Sequence, residues 1–307
     1  MYFTGFADEA AKDLAGQIAA TQELGWSNIE ARNIDGRNLH DLDDAAFDRV
    51  CEQLAATGVR INCFGSAIAN WAKSIDQPFD TSLAEARRAI PRMQRLGTQL
   101  IRIMSFAVRK DADGRVADDQ AEAERFRRLR ELLRLFSDAG LTPVHENCMN
   151  YGGMGWTFTL RLLENVPGLK LVFDTGNPTM SEDFSVAPDP DGRRPQQSSW
   201  EFYRQVRDHV AYIHIKDGRI GTDGKHVHTM PGAGDGDVRQ VLTDLLVRGY
   251  DGGISIEPHL ASVYHDPSLS NPAEVMRACY REYGRQVIAL VADISRQLPQ
   301  AGRLKIR

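Results

Sequence analysis

Apolar and polar positions along the chain follow two patterns. Short runs alternate with period two and end in charge, while longer runs repeat at helical spacing. The alternation predicts eight strands, at residues 2–6, 28–32, 60–64, 100–106, 141–146, 169–174, 211–216 and 253–257. The helical spacing predicts helices at 14–24, 44–56, 81–96, 118–139, 200–208, 238–247 and 271–298. Gly25, Gly58, Gly97, Gly140, Gly168 and Gly249 each stand shortly before a strand, where a glycine closes the last helical turn. Strand–helix alternation predicts a parallel sheet, and eight such units predict closure into a (β/α)8 barrel. A doubly wound open sheet is the alternative, but no GxGxxG follows the first strand. The pattern predicts one domain over residues 1–307, with long loops at 176–199 and 217–237 after strands six and seven.

Four of the predicted strands end in groups that bind metals. They place Glu146, Asp174, His214 and Glu257 at their C-terminal ends, the end at which barrel loops build a site. In the stretch Tyr212–Asp217, Ile213 and Ile215 face one way, and His214 and Lys216 the other. Taken singly, a strand-end carboxylate is a cap or a surface charge, and His214 is a hydrogen-bonded core histidine. Convergence of all four changes that reading. Two Glu, one Asp and one His suit a divalent cation such as Mn²⁺, Co²⁺, Fe²⁺, Mg²⁺ or Zn²⁺, and the absence of thiolates argues against a structural zinc. Three carboxylates crowded at a barrel mouth repel one another, and a dication offsets that repulsion.

Further candidates lie nearby. Lys216 shares the face of His214; it either contacts a substrate oxygen or pairs with Asp217 or Glu257. His259 lies just beyond Glu257 as a substrate or supporting group, and Glu30 and Arg32 line the pocket or pair with each other. By alternation His145 points away from Glu146 and packs behind the barrel. His226 and His228 sit on the second long loop, and Trp71 and Trp156 follow strands three and five, where rings stack on a sugar or simply pack. The arginines at 118–139 read as a solvated helix face.

Composition narrows the classes. A formal charge of −5 lacks the basic footprint of a nucleic-acid binder. The four cysteines show no CxxC pairing, which fits reduced thiols and a cytoplasmic setting. The opening strand-like residues 2–6 give no expectation of a signal peptide, and no run of eighteen apolar residues predicts a membrane span.

These residues bear a family likeness. Glu146 in HEN, Asp174 in VFDTGN, His214 in YIHIKD, Glu257 in ISIEPH and the loop PGAGDGD at 231–237 resemble the xylose-isomerase-like TIM-barrel superfamily, especially its sugar isomerase and epimerase branch. FADEA at 6–10 and IEARNIDGRNL at 29–39 resemble one sugar-epimerase-like subgroup. The resemblance implies one catalytic divalent metal, foremost Mn²⁺, held by the quartet, with Glu146 and Glu257 as paired acid/base groups. It implies a small sugar or polyol as partner, a homodimer or homotetramer, and either isomerisation, epimerisation or a lyase reaction resembling inosose dehydratases and 3-keto-glycoside-cleaving relatives. DNA-repair endonucleases of this fold hold three zincs with extra histidines; the acidic charge and the lack of a second histidine cluster disfavour that reading. Two departures stand out. Asn177 occupies a place where relatives carry a substrate-contacting His, and Gly232-Ala233-Gly234 replaces a GEG. Asn177 still hydrogen-bonds a hydroxyl but cannot titrate.

Overall fold

The computed structural model describes residues 1–260 and 272–298. Eight parallel strands form the barrel: β1 Tyr2–Gly5, β2 Asn28–Ala31, β3 Arg60–Phe64, β4 Leu100–Ile103, β5 Thr142–Glu146, β6 Lys170–Asp174, β7 Val210–Ile215 and β8 Gly253–Ile256. From β2 to β8 each strand pairs with the next, and β8 pairs with β1. A single parallel bridge between Phe6 and Glu30 joins β1 to β2 and closes the ring. The protein is therefore a TIM barrel, as the eight-unit pattern predicts.

The helices are α1 Leu14–Glu23, α2 Asp44–Thr57, α3 Asp80–Leu96, α4 Glu122–Asp138, α5 Trp156–Asn165, α6 Ser199–Val206, α7 Val238–Val247 and α8 Pro272–Gln297. The glycine punctuation holds: Gly58 and Gly97 cap α2 and α3 at φ 71° and 68°, where a Cβ is unfavourable. Asp13 and Asp43 accept N–H bonds at the starts of α1 and α2. α3 runs through Pro91. Helix α5 is absent from the sequence expectation. Residue 271 of the expected last helix lies outside the described residues. Among the described residues, no helix is long and apolar enough to cross a membrane.

Two layers explain how the barrel carries charge inside. Ile213, Ile215, Ile254, Ile256, Leu171 and Phe173 face the helices and join the main core. The opposite faces point into the barrel. There Val144, Val172 and Tyr212 form a separate apolar cluster with Cys63. Each of the three lies two residues before Glu146, Asp174 or His214 on the same face, so the polar groups sit one layer above an apolar floor. Register finishes the placement: His214 lies opposite both Asp174 and Ser255.

The solvated-face expectation for the arginines of α4 holds for Arg127, Arg130 and Arg134, which are exposed, but not for Arg125 and Arg128, which are buried. Arg125 on α4 is fully buried, and its guanidinium donates to the carbonyls of Gln120, Ser105 and Ala107. Those carbonyls lie outside the helices and strands, so the arginine serves as a clasp rather than a solvated charge.

Candidate metal centre

Strand ends deliver the quartet to one place. Glu146, Asp174, His214 and Glu257 are all buried, and each offers one ligand atom within 4.8 Å of the others. Two ligands across a cation at about 2.1–2.4 Å lie no more than about 4.8 Å apart, so this spacing suits a single ion. Asp174 supplies a second indication. Its Oδ1 accepts N–H bonds from Gly176 and Asn177 at 2.8 and 2.6 Å, whereas buried Oδ2 makes no hydrogen bond. That oxygen meets the Lys216 ammonium, Nζ at 3.2 Å, and lies 3.9 Å from His214 Nδ1. A buried carboxylate oxygen without a hydrogen bond is costly unless a cation compensates it. The donor set and geometry can hold a metal ion.

The four candidate ligands are aimed by surrounding side chains. His214 turns Nδ1 toward Glu146 Oε1 at 3.2 Å, and Nε2 toward Glu30 Oε2 at 3.0 Å. Glu30 also accepts from Ser255 Oγ at 2.6 Å and is completely buried. Such a carboxylate fixes the imidazole's tautomer and direction. Glu30 therefore stands behind His214, fully buried, and is not paired with Arg32. Arg32 reaches Asp8 at 2.9 Å, Glu9 at 3.3 Å and Glu257 Oε1 at 2.9 Å. His259 donates its backbone N–H to Glu9 and holds its ring Nε2 3.2 Å from Glu257 Oε1. Asn177 Nδ2 lies 3.4 Å from Glu146 Oε1. Lys216 pairs with Glu257 at 3.0 Å and Asp174 at 3.2 Å, not with Asp217.

Electrostatics follow from these contacts. Burial raises the Glu146 carboxyl, but Arg102 and His214 outweigh it and bring it down to about 2. Burial likewise opposes ionisation of Glu257, yet Lys216, His259 and Arg32 hold it well below the usual carboxylate range. Asp174 is different: burial dominates the pull of Lys216 and pushes it up to about 7. Burial alone would depress the His214 imidazole, but Glu30 and Glu146 push it up to about 10. His145 packs behind the barrel as alternation predicts, its Nε2 at 3.0 Å from Ser105 Oγ, and burial lowers it to about 4.

Several participants escape a sequence reading. Arg102 on β4 lies 3.1 Å from Glu146 Oε2, with its guanidinium stacked over Phe6 at 5.0 Å. The signal was present, because Arg102 sits between Ile101 and Ile103 as His214 sits between Ile213 and Ile215. Asn147 brackets the Asp174 backbone, accepting its N–H at 2.7 Å and donating to its carbonyl at 3.0 Å. Asp217 accepts N–H bonds from Gly218, Gly232, Gly234 and Gly236 at 2.8–3.1 Å and so folds the second long loop over the site. That loop also forms a small hairpin, Gly218–Ile220 with His226–His228. It brings the His228 ring to 5.0 Å from that of His259. Trp71 is half-exposed at the rim, and Trp156 opens α5 and packs against the core.

The sequence profile of the xylose isomerase-like TIM barrel matches residues 18–280, and the chain belongs to this family. Solved structures share its fold. A xylose isomerase-like TIM barrel protein from Mycobacterium smegmatis in complex with magnesium is 18% identical with a TM-score of 0.67, covering 95% of this chain and 97% of its own. L-ribulose 3-epimerase is 15% identical with a TM-score of 0.66, covering 97% and 96%. The probable 3-DHS dehydratase AsbF from Bacillus anthracis is 15% identical with a TM-score of 0.62, covering 92% and 98%. No curated protein matches the chain in sequence.

Proposed function

We propose that the protein is a divalent-metal-dependent enzyme that isomerises or epimerises a ketose or related polyol-derived sugar. One observation supports this above the rest: four buried donors converge within 4.8 Å, two of them glutamates held ionised. Mn²⁺ is the first candidate for the ion, with Mg²⁺, Co²⁺, Fe²⁺ and Zn²⁺ also suited to these ligands. When bound, the cation supplies polarisation of neighbouring carbonyl and hydroxyl oxygens and offsets negative charge that develops on them. The protein's own groups do the rest. An ionised carboxylate takes the proton from the carbon beside the carbonyl, and its C–H electrons pass into an enediolate. Glu146 and Glu257 end strands separated by β6 and β7, so they approach a sugar from different sides. Removal by one and return by the other inverts the carbon; return by the same group to the next carbon, with the hydroxyl proton of the first carbon passing to the former carbonyl oxygen, moves the carbonyl. Asn177, beside Glu146, and Lys216 and His259, beside Glu257, are placed to orient substrate oxygens.

A lyase reading on the same site is favoured by a specific feature. Elimination needs a proton for the departing oxygen, and Lys216 and His259 flank Glu257 at 3.0 and 3.2 Å. The probable dehydratase among the structural neighbours gives this reading a relative in kind. Incubating the Mn²⁺-loaded protein in D₂O with D-fructose, an inosose and a 3-keto-glucoside separates the two. Deuterium incorporation without elimination supports isomerase or epimerase chemistry; loss of water or aglycone supports the lyase. Glu146→Gln and Glu257→Gln are each expected to slow either reaction by about 10²–10⁴-fold. Wild-type rates in both variants, or a purified protein that takes up no divalent metal, would overturn the proposal.

A further inference from the structure

We propose that the cleft beside the metal centre is a second subsite, which takes a neutral aromatic substituent attached to the sugar. This rests on the sugar reading above. The cleft encloses about 520 Å³, within the usual size of small-ligand pockets. Its apolar walls are Trp71, Val108, Val116, Met149, Met154 and Phe184. Trp71 is 49% exposed and Met149 59%, the two most open large apolar side chains on this rim. A bare ketose, polar all round, would leave them facing water.

The walls are built from the same segments that carry the site. Met149 stands three residues beyond Glu146, and Ser181 four beyond Asn177. Asn150, which lines the cleft, donates Nδ2 to the Glu146 carbonyl at 3.0 Å and accepts from Ser105 Oγ at 2.6 Å. Ser181 Oγ donates to the Asn177 carbonyl at 3.2 Å. The cleft is thus fastened to the backbone of the candidate ligand Glu146 and of its neighbour Asn177. Its chemistry selects the occupant. An indole, a phenyl ring and two thioethers favour a flat aromatic ring through stacking and sulfur–ring contact. Lys110 and Glu182, its charged lining residues, are of opposite sign, so the cleft does not call for a charged group.

The test compares methyl and phenyl β-D-glucopyranoside by calorimetric titration of the Mn²⁺-loaded protein. The phenyl glucoside is expected to bind about tenfold tighter or better. Trp71→Ala and Met149→Ala should each shrink that ratio toward one; both positions are exposed, so the fold survives the change. Equal affinities in the wild type, no binding of either glucoside, or a ratio that neither variant alters would overturn the subsite. So would a concentration-dependent dimer that both variants dissociate, since the face would then cover a second copy. The two readings fail separately. Deuterium exchange into a ketose without a phenyl preference removes the subsite alone, and a phenyl preference without any exchange or elimination removes only the proposed reaction.

Discussion

Two buried residues decide the balance of charge at the centre. Glu30 accepts from the imidazole that faces the ion site, so its removal acts through His214. Glu30→Gln is expected to weaken Mn²⁺ binding about 10–100-fold, as loss of such a partner does elsewhere. Calorimetric titration of the variant checks this, and an unchanged affinity would show that Glu30 has no part in aiming the ring. Lys216 acts in the opposite sense. Its ammonium bridges Asp174 and Glu257, and breaking such a buried pair costs about 3–5 kcal/mol. Metal-free Lys216→Met should therefore melt roughly 5–10 °C below the wild type. It should also gain more stability from Mn²⁺ than the wild type does, because the ion replaces the missing positive charge without ammonium repulsion. Equal melting and equal Mn²⁺ response in scanning calorimetry would contradict the ion-pair account.

Elements were legible where one periodicity persisted. All eight strands follow from alternation, and their inward faces put Glu146, Asp174 and His214 above an apolar layer. Helix α5 was not legible. Its Trp156, Phe158, Leu160 and Leu162 alternate with polar residues as a strand would, its first turn has no acidic residue, and Gly155 gives it no side-chain cap. Arg102 and Glu30 show the limit at the site. Alternation says that each points inward, but only the three-dimensional register says which charge each meets. The loop over β7 depends on similarly non-local contacts. Four glycine N–H groups converge on Asp217, and a Cβ at Gly234 or Gly236 would lie 2.4 or 2.7 Å from Asp217 Oδ1. Asp217→Asn keeps one acceptor oxygen and turns an amide NH₂ toward donors. Hydrogen exchange at Gly232, Gly234 and Gly236 should accelerate about a hundredfold while strand amides stay protected. Exchange unchanged across the loop would show that other contacts hold it.

Stability of the whole barrel against pH is set by histidines buried far from water. His40 is 1% exposed and burial lowers it to about 4; His145, completely buried, is also near 4. Both titrate near 6.5 when the chain unfolds. Between pH 6.5 and 4 the unfolded chain therefore binds more protons at these two sites, and stability falls as the pH falls. From pH 7 to 5 each contributes a loss of about 2 kcal/mol. Asp174 works against them, since its folded value near 7 exceeds its ordinary 3.8 and its proton is favoured by folding across much of the same interval. Glu146 retains its stabilising charge until the pH falls below its ordinary 4.5 toward about 2, so it adds little to this limb. On the alkaline side the sign reverses. The raised His214 contributes stability that is complete below 6.5 and disappears as the pH climbs through about 10. Urea unfolding of the metal-free protein should thus give a maximum near neutrality with losses on both sides. His40→Gln should flatten the acid limb by about 2 kcal/mol between pH 7 and 5, whatever its cost at pH 7, and leave the alkaline limb as it was. An acid limb of full depth in that variant would mean that His40 does not remain neutral in the folded barrel.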